Sequence, residues 1–437
     1  MDRTYIGMIG MGIALLMVFL RVPIGVAMGL VGIVGIAVLS TWTAAFSIAK
    51  SIPYTLIGDW NLSAVPMFLL MGYIASATGL TNGLFASARL FLGRVPGSLA
   101  SSTVLASALF ASASGSSVAT AAAFARISVP EMLKARYDPA LATGCVAAAG
   151  TLGSLIPPSI LMIVFGIMAD TSISKLFMAG VIPGLLTAAV FIGYIMIRVK
   201  LNPALAPLDT TVYTAEQKRA AISDIWPLPV LILGVLGGIF SGLFTATEAG
   251  AIGAMIACVI AAARRSLSKG SFAKAVVDTT EGTAAIFIIV VGAAIFARFM
   301  SFSQLPAAMS AWLLSMTDSQ LALILAICAI YLVLGCVLES ISIMLLTMPL
   351  LLPALKLMEV DLVWFGILVI KLLEIGLCTP PVGMNVYVIK SAMGDRVKLT
   401  TIFRGVMGFV MADLFTLSIL IAFPIITLWL PNLMGKN

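Results

Sequence analysis

Long apolar blocks alternate with short polar segments along almost the whole chain. Ten blocks are long enough to cross a membrane as helices: 5–20, 22–40, 62–84, 139–168, 176–197, 226–243, 247–263, 281–300, 361–391 and 405–430. Two more apolar stretches, 98–133 and 318–357, carry small or polar residues at their centres, and we interpret each as a re-entrant hairpin. The more polar segments 41–60 and 268–280 predict helices that lie along the membrane interface.

The composition agrees with this pattern. Hydrophobic residues make up 61% of the 437 residues and charged residues 10%, with a mean hydropathy of +1.15. The blocks lack the alternation of a lipid-facing β-barrel, so helices are the remaining way to satisfy the backbone in lipid. Block 5–20 lacks a small-residue cleavage site and predicts a retained helix rather than a signal peptide. We therefore expect an all-α polytopic membrane protein.

The charge distribution predicts an orientation. The formal net charge is +7, but the basic residues lie at the ends of apolar blocks rather than in one run. Positive-inside topology and anionic lipid headgroups explain this better than nucleic-acid binding. Most basic residues fall on the cytoplasmic side if the N-terminus is periplasmic, and we expect that topology.

The polar stretch 200–224 divides the chain into halves that repeat each other. The Pro-Pro pair that begins at Pro157 matches the pair that begins at Pro380, at a spacing of 380 − 157 = 223, and Gly25 matches Gly250 at 250 − 25 = 225. Each half would hold about five spanning helices and one hairpin. Because an odd number of crossings turns the second half upside down, we expect inverted repeats, which are typical of transporters.

Each Pro-Pro pair interrupts an apolar helix, in GTLGSLIPPS (150–159) and EIGLCTPPVGMN (374–385). Proline removes a backbone donor and glycine permits unusual dihedrals, so we expect unwound turns with free carbonyl groups. Carbonyls and half-helix ends suit Na⁺, and half-helix N-termini suit a carboxylate. One such motif alone is better explained as a kink that shapes helix packing, but the second copy favours a binding site.

The hairpin centres carry clusters of small polar residues, SASGSSVAT (112–120) and GCVLESISIM (335–344). Hydroxyl residues also hold membrane helices together, so one cluster would be weak evidence for a site. Each cluster is followed by a Pro-Pro pair at nearly the same spacing, 157 − 116 = 41 and 380 − 340 = 40. We therefore expect each tip to form a site with the following helix break.

Enzyme chemistry is poorly supported. The chain has no histidine, which excludes HExxH zinc sites and Ser/His catalysis, and its five cysteines form no CxxC motif. The Gly-rich runs lack the Lys-Ser/Thr ending of a phosphate-binding loop, so ATP is not expected as the energy source, nor is any organic cofactor. Tyr137-Asp138 is similar to an intramembrane aspartyl protease motif, but 392–395 lacks the first glycine of GxGD.

The motifs SGSSVATAAA, GTLGSLIPPSI, KLFMAGVIPGLL, TATEAGAIGA and CTPPVGMNVYV resemble the large membrane subunit of tripartite ATP-independent periplasmic (TRAP) transporters, within the ion transporter superfamily. The resemblance runs from about residue 5 to residue 431. It implies elevator-type, Na⁺-driven uptake of an organic acid across the bacterial inner membrane. It also implies two partners, a soluble periplasmic binding protein and a small four-helix membrane subunit, here expected as a separate polypeptide.

The resemblance also implies binding residues, many of which would act through backbone carbonyls. One Na⁺ site would comprise Ser114, Ser116, Ser117, Gly150, Gly153 and Pro157. A second would comprise Gly335, Glu339, Ser340, Gly376, Thr379 and Met384. Substrate contacts between the tips would come from Ser116, Ser154, Thr379 and Asn385, while Arg126 would either attract the acid or pair with a carboxylate. C4-dicarboxylates, sialic acids and other sugar acids are all compatible with these residues.

An elevator divides the chain into a scaffold and a transport unit. The expected scaffold comprises 1–61 with an interfacial arm helix, 169–280 with the cytoplasmic loop 200–224, and the C-terminal helix in 392–437. The expected transport unit comprises 62–168 with hairpin 98–133, and 281–391 with hairpin 318–357. A stand-alone Na⁺- or H⁺-coupled anion carrier of the same superfamily is an alternative, and a passive channel or membrane scaffold is another.

Ionisable residues within the apolar blocks are costly and often functional. Glu339 and Glu374 lie beside the proposed sites and would neutralise Na⁺ or orient the loops. Lys371 lies one turn before Glu374, which predicts an ion pair at i, i+3. Glu248 and Asp413 lie in helices of the expected scaffold, where structural pairing is the expected role.

Overall fold

The apolar blocks form helices throughout the computed structural model, which describes residues 2–80, 83–93, 95–207, 214–317 and 319–434. The first half contains α1 (Arg3–Phe19), α2 (Ile24–Leu39), α3 (Trp42–Ile57), α4 (Ala64–Ala77), α5 (Leu84–Leu92), α6 (Ser98–Ser114), α7 (Ser117–Lys134), α8 (Pro139–Leu155), α9 (Ile160–Ala169) and α10 (Ile173–Leu201). The second half contains α11 (Ala215–Ile225), α12 (Pro227–Phe240), α13 (Ala246–Ala263), α14 (Lys269–Ser303), α15 (Leu305–Met316), α16 (Gln320–Gly335), α17 (Ser340–Leu357), α18 (Leu362–Gly376), α19 (Met384–Met393), α20 (Leu399–Ala422) and α21 (Ile425–Met434). Short 3₁₀ turns lie at Trp60–Ser63, Pro203–Leu205 and Gly394–Arg396. The described residues include no β-strand, so the predicted all-α class is confirmed.

Polar side chains begin several of these helices. Asp138 accepts a hydrogen bond from the Leu141 amide at 2.9 Å and so caps α8. Thr245 and Glu248 form a capping box at the start of α13, with the Thr245 amide donating to Glu248 at 2.8 Å. A structural function of this kind is what we expected for Glu248.

Six helical segments in the described part of the chain are long and apolar enough to span a membrane: Trp60–Ala77, Ile173–Leu201, Ala246–Ala263, Lys269–Ser303, Ser340–Leu357 and Leu399–Ala422. The pair α8 and α9, bent by 43°, makes a seventh if it counts as one broken span. Large apolar side chains such as Leu233 and Val333, both 70% exposed, cover the outside. A lipid-facing surface explains this exposure, so the chain is an integral membrane protein.

Both predicted hairpins form helix-turn-helix units. Helices α6 and α7 meet at residues 115–116, and α16 and α17 meet at residues 336–339. Residue 318, the first of the second predicted hairpin, lies outside the described residues. The predicted helix breaks also form, at residues 156–159 and 377–383, and the Pro157-Pro158 and Pro380-Pro381 peptide bonds are cis.

Two predictions about helix bounds were wrong. A separate interfacial helix at 268–280 does not form, because no proline interrupts α14 and Ser268 caps it at the start. The block 405–430 is two helices, split where Pro424 lacks the amide hydrogen that would continue α20. Helices α5 and α15 were not predicted at all.

The helix bounds recur along the chain. Helices α7 and α17 begin 340 − 117 = 223 residues apart, and α9 and α19 begin 384 − 160 = 224 apart. The same spacing relates α1 to α12, at 227 − 3 = 224. The exception is the long helix α14, which takes the place of both α3 and α4.

Two sets of helices pack with almost no space between their backbones. Helix α2 lies against α14, where a Cβ on Gly292 would be only 2.0 Å from the Gly25 carbonyl oxygen. Helix α8 lies against α20, where a Cβ on Gly405 would be 1.9 Å from the Ala140 carbonyl oxygen. Since neither contact has room for a side chain, glycine is required at both.

Candidate functional site

The first hairpin turns at a glycine in the left-handed region. Gly115 has φ +60°, and Ser116 then caps α7 by accepting from the Ala119 amide at 3.4 Å. The Ser114 and Thr120 hydroxyls lie 2.9 Å apart and close the turn. These bonds hold the hydroxyl groups of the tip in a small space.

This first tip packs directly on the first helix break. A Cβ on Gly153 would lie 2.6 Å from the Ser116 carbonyl oxygen, and one on Gly150 would lie 3.2 Å from that of Ser117. Pro157 lies in the turn at 156–159, and a Cβ on Gly115 would be 2.9 Å from the carbonyl oxygen of the following residue, Pro158. The structure therefore brings the six predicted residues of the first Na⁺ site into one region.

The second tip packs on the second break in the same way. Gly335 and Gly376 meet backbone to backbone, where a Cβ on Gly376 would lie 2.6 Å from the Gly335 carbonyl oxygen. Glu339 caps α17 by accepting from the Ser342 amide at 3.2 Å and from its hydroxyl at 2.8 Å. The Thr379 hydroxyl donates to the Ile375 carbonyl at 2.7 Å, so it is used inside the break.

One cavity of about 110 Å³ lies between the two tips. Its lining combines both tips and both breaks: Gly115, Ser116, Ser117, Val118, Ser154, Ile160, Leu161, Ile286, Glu339, Ser340, Ile341, Glu374, Leu377 and Met384. The first half of the chain supplies the hydroxyls of Ser116, Ser117 and Ser154. The second half supplies the two carboxylates.

Glu374 joins the two halves inside this cavity. It is 1% exposed, and its Oε2 accepts a hydrogen bond from the Ser117 hydroxyl at 2.5 Å across 257 residues of sequence. The Ser117 and Ser154 hydroxyls lie 2.8 Å apart. An acidic residue in an apolar helix just before a Pro-Pro pair was the sequence signal for this residue, but its partner could not be found from the sequence.

The predicted ion pair between Lys371 and Glu374 was wrong. The Lys371 ammonium instead pairs with Asp413 of α20 and donates to the Thr187 hydroxyl of α10 at 3.0 Å. All three residues are at most 2% exposed. Position i, i+3 allowed the contact with Glu374, but the tertiary structure offered the buried lysine a carboxylate on another helix.

The structure places the predicted substrate residues in three different regions. Ser116 and Ser154 line the cavity between the tips. Asn385 is fully buried and donates from Nδ2 to the Ala147 carbonyl at 3.2 Å, which ties the second break to α8. Arg126 lies on a separate cavity of about 220 Å³ between α4, α5, α6 and α7.

One residue of the cavity lining, Ile286, could not be found from the sequence. It belongs to the long helix α14, so a helix outside the hairpins and the helix breaks also forms part of the cavity wall. An isoleucine among many in an apolar helix carries no local signal of this kind. Only the packing identifies it.

Comparison with known proteins places this arrangement in a family. Residues 11–426 match the family model described as tripartite ATP-independent periplasmic transporter, DctM component. The chain belongs to this family. It is a large membrane subunit of a TRAP transporter, and hence part of a permease rather than an enzyme.

Two curated relatives extend over most of the chain. The sialic acid TRAP transporter large permease protein SiaM of Vibrio cholerae is 32% identical over 380 residues, covering 86% of this chain and 87% of the relative. The C4-dicarboxylate TRAP transporter large permease protein DctM of Pseudomonas aeruginosa is 34% identical over 381 residues, covering 86% and 88%. The crystal structure of the Alcanivorax borkumensis YdaH transporter shares the fold, with a TM-score of 0.63 at 17% identity over 88% of this chain and 89% of that one.

Proposed function

We propose that this TRAP permease subunit takes up an organic acid across the bacterial inner membrane in symport with Na⁺. Four helix N-termini at the central cavity carry the proposal. Helices α7, α9, α17 and α19 begin at Ser117, Ile160, Ser340 and Met384, and all four residues line it. Helix N-termini present unpaired amides and a positive partial charge, which favour a carboxylate.

The same region supports cation binding. Helices α8 and α18 end at the cavity beside Ser154 and Leu377, so their last carbonyl groups carry the negative end of the helix dipole. Hydroxyl, carboxylate and carbonyl oxygens are the donors that a hard cation prefers. We therefore keep one Na⁺ between each tip and its helix break, and the acid between the tips.

The substrate class follows from charge and from the relatives. Two of the proteins similar to this chain are named for sialic acid and for C4-dicarboxylates, both of which carry carboxylates. Ser116 and Ser154 are the substrate contacts that we retain. Thr379 and Asn385 hold the second break in place, and Arg126 lies outside the cavity.

We propose inverted repeats, which the constant spacing of helix starts supports, and an elevator movement. The proposed moving unit contains both hairpins, both broken helices and, as a change from the sequence-based division, α10 and α20. The close approach of α8 and α20 and the buried Lys371–Asp413 pair between α18 and α20 favour this change. The proposed scaffold contains α1, α2, α3, α13 and α14, and the N-terminus lies in the periplasm. Residues 281–303 of α14, expected in the transport unit, are therefore a second change from the sequence-based division.

The partners are those of the family, a small four-helix membrane subunit and a periplasmic binding protein. We propose that the small subunit packs on the first 60 residues, where Trp42 and Trp60 are 56% and 69% exposed. Normal uptake in cells that lack any such subunit would contradict this arrangement.

Reconstitution tests the proposal as a whole. The subunit is purified with its small subunit and binding protein, and uptake of radiolabelled organic acids into liposomes is measured. We expect uptake to require all three proteins and an inward Na⁺ gradient, and to be unaffected by ATP. Full uptake with a proton gradient alone would overturn the sodium coupling, and uptake by this chain alone would indicate a stand-alone carrier.

The elevator is tested by crosslinking. Cysteines at Ser116 or Ser340, in a background without native cysteines, should change their accessibility from one membrane face to the other during transport. A complete crosslink between hairpin 98–133 and helices 5–40 should abolish uptake while Na⁺ binding remains measurable. Undiminished uptake with that crosslink would exclude an elevator.

A further inference from the structure

The two carboxylate oxygens of Glu374 have different surroundings. Oε2 accepts from the Ser117 hydroxyl, whereas Oε1 is buried and has no hydrogen-bond partner among the described residues. A buried carboxylate oxygen without a partner is unfavourable, so such groups are paired, bind a cation or take up a proton. Ser340 lines the same cavity, and its buried hydroxyl also has no hydrogen-bond partner among the described residues.

The hydroxyl chain beside Glu374 fixes the direction of its hydrogen bonds. Ser117 has one hydroxyl hydrogen, and donating it to Glu374 leaves only acceptor capacity toward Ser154. Ser154 lies within hydrogen-bond reach of both Ser117 and Glu374 and can donate its single hydrogen to either, while its lone pairs stay available.

Two helix C-termini beside Glu374 disfavour its negative charge, whereas Ser117 at the N-terminus of α7 favours it. Glu374 lies two residues before the end of α18, and Ser154 lies one residue before the end of α8, so both are at the negative ends of helix dipoles. Glu339 differs, because it caps the N-terminus of α17. Lys371 cannot supply the missing charge because it pairs with Asp413.

We infer that Glu374 Oε1 and Ser154 bind a sodium ion at the junction of the two halves. This inference rests on the proposed sodium-coupled function. It adds a side-chain ligand for Na⁺ that belongs to neither of the two predicted Na⁺ sites. The ion would connect the first tip, through Ser117, to the second broken helix. The presence of Na⁺ would then hold together the two halves that enclose the acid.

A sodium ion fits these groups better than a proton does. A proton on Oε2 could donate to the Ser117 hydroxyl, but it would leave Oε1 without a partner. A sodium ion needs only oxygen lone pairs, which Oε1, Ser154 and the carbonyls at the two helix ends supply.

The test is the number of bound sodium ions. Equilibrium binding of radioactive Na⁺ is measured on the purified full-length protein, on Glu374→Gln and on the control Glu248→Gln, which removes a capping carboxylate away from the cavity. We expect Glu374→Gln to bind one Na⁺ fewer than the wild type, and Glu248→Gln to bind the same number. An unchanged number in Glu374→Gln overturns the inference alone, whereas a wild type that binds no Na⁺ overturns sodium coupling as well.

Two further variants keep the test decisive if Glu374→Gln does not elute as a folded protein. Ser154→Ala should lower the Na⁺ affinity, and Glu374→Asp should keep the number of bound ions at lower affinity because it keeps the charge. Unchanged Na⁺ affinity in Ser154→Ala would overturn the inference. Release of a proton from Glu374, with no change in the number of bound Na⁺ ions, would also overturn the inference.

Discussion

The two hairpin tips have the same backbone plan but different charges. Ser116 caps α7 with a hydroxyl, and Glu339, at 339 − 116 = 223 residues further on, caps α17 with a carboxylate. Thr151 in the first break corresponds by the same spacing to Glu374 in the second, since 374 − 151 = 223. The repeat therefore preserves where helices begin and end, while only the second half brings negative charge to the cavity.

The two halves of the site therefore share their backbone geometry but differ in the charges of their side chains. Helix ends and tip glycines recur in both halves because they form the turns. The carboxylates occur once, and the buried pair of Lys371 with Asp413 also has no counterpart, since the position equivalent to Lys371 is 371 − 223 = 148, an alanine. Changes that act on the backbone should affect both halves equally, and changes in charge should not.

The largest effect on uptake is expected from the glycines where tip and break touch. Gly153→Ala and Gly376→Ala each place a Cβ 2.6 Å from a backbone carbonyl oxygen, which must displace the tip. Overpacking of this kind costs about 1–3 kcal/mol, so we expect uptake to fall by about 5-fold to 140-fold in both variants. Initial uptake rates check this.

Gly193→Ala is the control, because no atom lies within 4 Å of the position that its Cβ would occupy, and its uptake should equal the wild type. A tolerated alanine in only one of the two breaks would show that the halves are not equivalent at the backbone.

The largest effect on the free energy of unfolding concerns the buried ion pair. Lys371→Met should lower the free energy of unfolding by about 3–5 kcal/mol, because it leaves Asp413 buried and unpaired. Thermal unfolding of the purified protein measures this loss. The double variant Lys371→Met with Asp413→Leu should be more stable than the single variant, since no charge is then left without a partner.

The surface pair of Lys134 with Glu131 provides the comparison. Its lysine side chain is 75% exposed, so Lys134→Met should cost less than about 1 kcal/mol. Equal losses for Lys371→Met and Lys134→Met would contradict the structural importance of the buried pair.

Giving the first tip the charge of the second should weaken substrate binding. Ser116→Asp keeps an N-cap and hence the helix start, but it adds a negative charge to the cavity. We expect the KM for the acid to rise about tenfold or more through repulsion. Ser116→Ala separates the two effects: its stability should fall by about 1 kcal/mol through loss of the cap, with a KM that rises far less. The same KM in both variants would exclude a charge effect.

The smallest effect is expected at Arg126. Because it lies on a separate cavity, Arg126→Gln should leave the KM for the acid within about twofold of the wild type. Ser154→Ala, at the central cavity, should raise the KM by more, since an alcohol bond contributes about 1 kcal/mol. A tenfold higher KM in Arg126→Gln would return this arginine to the substrate site.

The fold class, the hairpins and the helix breaks could be predicted from the sequence alone. These features are local: the length of an apolar block limits what can span a membrane, proline removes an amide and glycine permits a left-handed turn. Thus 98–133 and the Pro-Pro breaks were predicted within a few residues of their observed bounds. The grouping of tip and break residues followed from the repeated spacing and from the family resemblance.

Which side chains contact each other could be found only from the tertiary structure. Glu374 meets Ser117 across 257 residues, and Lys371 pairs with Asp413 rather than with the nearer Glu374. Arg126 is kept away from the tips, and α14 runs unbroken past the expected boundary at 280. The physical reason is that a buried charge takes the partner that packing brings within reach, and that partner depends on helices far apart in the chain.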